Sequence, residues 1–135
     1  MKKTNKQIHT DSKLIYADIT YKVRGALFNV YNTLGHGHKE QVYQKALEKE
    51  LKDLNINFQK EVALKVKYKN KEVGKYRPDF IVEDKVIIEI KAVEFVSKSY
   101  EQQLLHYLKA TNYHLGLLVN FGGTKLFIKR IVWTL

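Results

Sequence analysis

The chain has 135 residues, 44% hydrophobic and 28% charged, which suits one domain with a substantial core. It has no cysteine, which excludes disulfides, thiolate zinc sites and cysteine nucleophiles. No run of about 18 apolar residues occurs, so no membrane-spanning helix is expected. Lys and Arg number 24 against 14 Asp and Glu, for a net charge of +10, a balance that fits either simple solubility or a polyanionic partner such as nucleic acid.

Residues 1–13 are basic and polar, without the apolar stretch of an export signal. They are expected to form a disordered tail on a cytoplasmic protein, with one domain over residues 14–135. From Asp18, a plausible N-cap, Ile19, Val23, Leu27, Val30 and Leu34 recur at spacings of three and four and predict a helix over 18–34. Gly35 and Gly37 end it, and a second helix is predicted over 40–54. The period then changes. Phe58, Val62, Leu64, Val66 and Tyr68 read as one strand, Asn70-Lys71 as a turn, and 72–82 as a second strand. Glu83-Asp84 reads as a tight turn and 85–93 as a third strand. Ser99 and Gln102 stand at capping-box spacing at the start of a helix over 99–111. An apolar strand over 113–121, a Gly122-Gly123 turn and a last strand over 125–133 complete an α/β order of α-α-β-β-β-α-β-β.

The third strand carries the strongest signal. Val86, Ile88, Ile90 and Ala92 share one face, while Lys85, Ile87, Glu89, Lys91 and Val93 share the other. Both faces are apolar near the middle, as in a central strand, yet Glu89 and Lys91 stand side by side. Burying such charges costs several kcal/mol per ion, by order of magnitude, unless they are paired or bind a metal. A Glu–Lys pair on a solvated face is the plainer reading of this strand alone.

The preceding strand shifts that balance. Pro78, the only proline, cannot donate to a sheet ladder and marks an edge, an end or a bulge. A hairpin closed at Glu83-Asp84 brings Asp79 next to Glu89. Paired carboxylates repel, and Mg2+, which takes one or two carboxylates plus waters and phosphate oxygens, relieves the repulsion. Lys91 then faces the same pocket, where a cation can hold a phosphate, orient an attacking water or stabilise developing negative charge. Glu40 starts the apolar stripe of the second helix, with Tyr43, Leu47, Leu51 and Leu54. It complements the helix dipole there and can also point inward as a third acid. Gln103 borders the buried side of the last helix, four residues before Tyr107. It reads either as a solvated residue or as a contact to phosphate or water.

Pro78-Asp79 followed by Glu89-Ile90-Lys91 resembles the PD-(D/E)XK nuclease signature. A closer resemblance is to the GxxExxY family of small proteins, through Gly37-His38-Lys39-Glu40-Gln41-Val42-Tyr43. Tyr76-Arg77-Pro78-Asp79-Phe80-Ile81-Val82, Ile88-Glu89-Ile90-Lys91-Ala92-Val93-Glu94, Gln103-Leu104-Leu105-His106-Tyr107-Leu108 and Gly116-Leu117-Leu118-Val119-Asn120-Phe121-Gly122 look like its other blocks, and Lys129-Arg130 also fits. The match spans about residues 14 to 133. It departs from the usual pattern at His36, His38 and Lys39, where proline and apolar residues are more frequent.

The resemblance implies a restriction-endonuclease-like core, in which a mixed sheet has an antiparallel hairpin carrying the site and is flanked by helices. It also implies that Glu40, Asp79 and Glu89 bind Mg2+ or Mn2+ and that Lys91 assists catalysis. Gln103 and Tyr107 match a QxxxY element of exonuclease and resolvase branches. The implied activity is phosphodiester hydrolysis of nucleic acid, DNA before RNA, by a metal-activated water; oligomeric state is left open by the sequence, although a homodimer would help a small domain engage two strands. Two other readings compete: an inactive nucleic-acid-binding or regulatory module on the same fold, and a zinc enzyme using His36, His38 and Glu40. The second lacks a Cys partner or an HExxH helix.

Overall fold

The computed structural model describes residues 15–134; the tail expected over 1–13 lies outside them. Helix α1 runs Ala17–Leu34 and α2 runs Glu40–Asp53. Seven strands follow, β1 Phe58–Lys60, β2 Leu64–Tyr68, β3 Lys71–Tyr76, β4 Phe80–Val82, β5 Val86–Lys91, β6 Leu115–Asn120 and β7 Phe127–Val132, with helix α3, Lys98–Thr111, between β5 and β6. Among the described residues, no helix is long and apolar enough to cross a membrane.

Five strands form a mixed sheet in the order β1-β4-β5-β6-β7. Among the described residues only β5 and β6 pair in parallel, and that pairing needs a crossover connection, which α3 supplies. Val86, Ile88 and Ile90 of β5 join Leu115, Leu117 and Val119 of β6 in a core closed by Val23, Leu27 and Val30 of α1 and Tyr43, Leu47 and Leu51 of α2. The opposite face buries Ile87, Leu118 and Ile131 under Leu104 and Leu108 of α3. This architecture is restriction-endonuclease-like, as the family resemblance implied, with helices on both faces of the sheet. It also explains why β5 and β6 are apolar on both sides.

Two predicted strands are each broken in two. The strand expected over 58–68 ends at Lys60 and restarts at Leu64, with Glu61 between them at φ +53°. The strand expected over 72–82 breaks at Arg77-Pro78-Asp79, and its halves belong to different sheets. β3 pairs with β2 in a separate antiparallel ribbon, while β4 pairs with β1 and β5. Pro78 has no N–H for a ladder, so the chain leaves one sheet there and enters the other.

Smaller corrections concern caps and turns. Tyr16, in the left-handed region, precedes α1, and Asp18 lies within its first turn rather than capping it. Ser97, not Ser99, caps α3, accepting the Ser99 N–H at 3.1 Å. The ribbon turns at Lys69-Asn70, one residue earlier than expected, and both residues have positive φ, as do Glu83 and Asp84 in the β4–β5 turn. In the ribbon, where Tyr68 faces Lys71, Lys69 and Asn70 form the two-residue hairpin turn whose twist matches the strands, whereas the β4–β5 connection is one residue longer, Val82 facing Val86 across Glu83, Asp84 and Lys85.

Beyond Lys91 the β5–β6 pairing is finished by a side chain. Buried Asn120 accepts N–H bonds from Val93 (2.9 Å) and Gly122 (3.1 Å) and donates to the Val93 carbonyl at 2.9 Å. Gly122 is required by the same approach, since a Cβ there would lie 2.2 Å from the Val93 oxygen. Arg130 of β7 donates to the Ile15 carbonyl (2.7 Å) and the Thr20 hydroxyl (3.3 Å), tying the start of α1 to the sheet.

Candidate active site

The segment from Gly35 to Tyr43 behaves as one local device. Gly37, at φ +107°, turns the chain into α2, where L side chains would be strained. The Tyr43 hydroxyl donates to the Gly35 carbonyl at 2.6 Å and accepts the His38 N–H at 3.2 Å, closing the turn from within the helix. Its ring is fully buried and stacks on Phe121 at 4.3 Å. Glu40 is thereby fixed as the first residue of α2. The His38 ring packs edge-on against Tyr43, so the unusual histidine here serves the turn.

Asp79 opens β4. The β4–β5 ladder ends at Phe80 opposite Ile88, which leaves the Ile90 N–H beyond the reach of β4's backbone. The Asp79 carboxylate takes it, with Oδ2 2.7 Å from the Ile90 nitrogen. Its other oxygen accepts from the Gln44 amide at 3.2 Å, and the same amide nitrogen lies 3.2 Å from Glu40 Oε2. Gln44 therefore joins the helix acid to the hairpin acid.

Glu89, the residue before Ile90, stands close enough to Asp79 for the two carboxyl groups to repel, and it accepts a hydrogen bond from the Tyr76 hydroxyl. The Tyr76 ring is 5% exposed and lies flat on Tyr107 of α3, with centroids 3.8 Å apart and planes 3° from parallel. Lys91 Nζ sits 4.5 Å from the centre of the Tyr100 ring, also on α3. Glu89, Lys91, Gln103 and Tyr107 line one cavity of about 250 Å³, with Tyr76 and Arg77 at its β3 side. A larger hollow of about 570 Å³, between Tyr21, Arg24, Phe28 and Leu54, has no carboxylate in its lining.

Burial dominates the electrostatics. It pushes the Glu89 carboxyl up to about 8, with the neighbouring Asp79 adding to the effect and the Tyr76 hydrogen bond and Lys91 only partly opposing it. Burial also raises Asp79, against the pull of the Ile90 N–H and Lys91. Glu40 is raised by burial and by Asp79, with Lys91 opposing. Tyr76 is held in its neutral form by burial and by Glu89 beside it. Glu89 therefore retains a proton at a pH where exposed carboxyl groups have lost theirs.

The structure brings Asp79 within electrostatic reach of Glu89 and places Glu89, Lys91, Gln103 and Tyr107 around one cavity, whose lining does not include Asp79. Glu40 stands further off, reaching Asp79 through Gln44. Among the described residues, no group of three or more His, Asp or Glu side chains gathers closely enough to hold a metal alone, and this applies equally to His36, His38 and Glu40. The Asp79–Glu89 pair does fit a hard divalent cation. It offers carboxylate oxygens, and Mg2+ ordinarily completes its shell with waters and phosphate oxygens.

Two residues of the site were not foreseen in the sequence. Gln44 lies four residues after Glu40 on the same helix face, a spacing that could have flagged it. Tyr76 leads the Arg77-Pro78-Asp79 run, but nothing local points its hydroxyl at Glu89.

A family model described as the PD-(D/E)XK nuclease superfamily matches residues 17–131. Among solved structures, the crystal structure of SSO0001 is similar in fold, with a TM-score of 0.56 and 24% identity, covering 70% of this chain. The chain spans about half the length of that protein, 51%. No curated protein matches. The family match runs from the first turn of α1 into β7 and takes in both halves of the hairpin on which Asp79, Glu89 and Lys91 stand; the chain belongs to the PD-(D/E)XK nuclease superfamily.

Proposed function

We propose that this protein is a divalent-metal-dependent nuclease that hydrolyses phosphodiester bonds in DNA, and that it belongs to the GxxExxY branch of its superfamily. The observation that carries this reading is the neighbouring Asp79 and Glu89 carboxyl groups, with Glu89 and Lys91 lining one cavity, in a chain of net charge +10. Asp79 and Glu89 would hold Mg2+ or Mn2+, and Glu40, tied in through Gln44, would contribute through the outer part of the shell. When bound, the cation supplies Lewis acidity and lowers the pKa of the attacking water.

The chain's own residues do the rest. Lys91, held over Tyr100, meets negative charge that develops on the phosphate. Gln103 and Tyr107 line the cavity where the scissile group would lie and orient it by hydrogen bonding. Tyr76 keeps one Glu89 oxygen engaged, so that the other is directed toward the cation.

The test is a cleavage assay with Mg2+ and Mn2+ across single-stranded, duplex and branched DNA and RNA. DNA should be cut only with a divalent cation present, and Asp79→Ala should abolish cutting. Absence of cleavage on every substrate with either metal would replace this reading with that of an inactive binding module.

A further inference from the structure

The β2–β3 ribbon lies apart from the main sheet, and its surface is built differently from its underside. Leu64 and Val66 pack inward on the cluster under α3. Residues 64–76 carry five lysines and one glutamate. Lys65 and Lys67, one residue out of phase with Leu64 and Val66, are exposed, as are Lys69 at the turn and Lys75.

The pairing makes this distribution costly. Lys65 stands directly opposite Lys75 in the register, and like charges at facing cross-strand positions destabilise a sheet. The one glutamate, Glu72, faces Lys67 and reaches Lys75 only at 3.9 Å, a surface distance that offsets little. Edge lysines also discourage strand-to-strand aggregation, but that role does not require two of them face to face. An irregularity between Val66 and Lys67 leaves Val73 outside the register, and such a bulge increases the local twist.

The ribbon also leads into the candidate site. Its last residue, Tyr76, bonds Glu89, and Lys75 and Arg77 line the cavity that holds Glu89 and Lys91. At about 3.3 Å per residue, and with Leu64 opposite Tyr76, the Lys69 turn lies roughly 17 Å from Tyr76, close to half a turn of B-form DNA. The B-form major groove, about 12 Å wide, admits a two-stranded ribbon, whereas the A-form RNA major groove is too deep and narrow.

We infer that the β2–β3 ribbon is a duplex-DNA-binding arm, with Lys65, Lys67, Lys69 and Lys75 contacting phosphates along the groove and guiding the backbone to the cavity at Glu89 and Lys91. This inference deepens the nuclease reading and rests on it for the position of the cut, but the binding is measured separately from cleavage.

The test uses the full chain with Asp79→Asn, so that no probe is cut, and fluorescence anisotropy on a duplex of about 24 base pairs, its single strand and the matching RNA duplex. Replacing Lys65, Lys67 and Lys69 together by Gln should weaken binding to the DNA duplex at least tenfold at about 100 mM salt. The log–log salt slope should fall by about 2 to 3, close to 0.9 for each phosphate no longer neutralised. The corresponding triple Arg variant should restore both values, which separates removal of charge from damage to the ribbon. An unchanged slope in the triple Gln variant would overturn the proposal, and so would a weakening confined to the single strand or the RNA duplex. If the ribbon binds duplex DNA while the unmodified protein cuts nothing, the arm stands and the nuclease reading falls. If cutting persists with the same KM and salt dependence in the triple Gln variant, the nuclease reading stands and the arm falls.

Discussion

The Asp79 carboxylate accepts the Ile90 N–H at 2.7 Å, which sets it beside the Glu89 carboxyl and favours a proton on Glu89. Burial and mutual repulsion hold that proton on Glu89 to a pH of about 8, against an ordinary value of 4.5. Because the folded value is raised, the folded protein binds a proton that the unfolded chain has released between those two values. The contribution to stability is therefore fully present below about pH 4.5 and is lost as pH rises toward 8. Thermal unfolding in EDTA should give a lower Tm at pH 8 than at pH 6, and Glu89→Gln should flatten that difference. An equal slope in both proteins would place the titration elsewhere.

Binding of Mg2+ requires ionised ligands, so it should expel the proton held on Glu89. Calorimetric titration near pH 7 in buffers of different ionisation enthalpy should show a net proton release, and the added cation should raise Tm more at pH 8 than at pH 6. In Asp79→Asn the proton release should disappear along with most of the affinity. Tight Mg2+ binding by that variant would remove the pair from the metal site.

Tyr76→Phe keeps the ring stacked on Tyr107 but deletes the hydrogen bond to Glu89. Removing a partner that orients a ligand typically costs about 10–100-fold in metal affinity. Mn2+ binding followed by electron paramagnetic resonance should weaken within that range while the fold is retained. An unchanged affinity would leave Tyr76 with a packing role only.

Tyr43 links the turn at Gly35 and Gly37 to α2, which makes its hydroxyl separable from its ring. Tyr43→Phe should cost about 1 kcal/mol, the usual net value of one hydrogen bond. Tyr43→Ala should cost about 3–5 kcal/mol through the cavity left beside Phe121. Urea titration distinguishes the two. Equal losses would mean that the hydroxyl, and not the stack, holds the turn.

The placement of these residues was legible in the sequence to different depths. Alternation along 85–93 put Glu89 and Lys91 on one face, and the structure keeps them there. The two helices were legible from their apolar stripes, and the hairpin from Glu83-Asp84. The breaks at Glu61 and at Arg77-Pro78-Asp79 were not, because apolar residues continue on both sides of each. Pro78 signalled an interruption, but whether the chain bulges or changes sheets is decided by packing under α3. The glutamate at Glu61 does not advertise a positive φ. Gln44 and Tyr76 stayed hidden for a related reason: each reaches the site through partners on another element, Asp79 for one and Glu89 and Tyr107 for the other.

The central claim is that Asp79 and Glu89 hold a cation beside Lys91, which meets the charge that develops on phosphate. Single-turnover cleavage of a DNA duplex in saturating Mg2+, comparing the unmodified protein with Lys91→Ala, tests it most directly. Lys91→Ala should retain its melting temperature to within a few degrees and its Mg2+ binding, and should cleave about 10²–10³-fold more slowly, the decrease expected on removing one electrostatic stabiliser. Cleavage by Lys91→Ala at the unmodified rate would contradict the account.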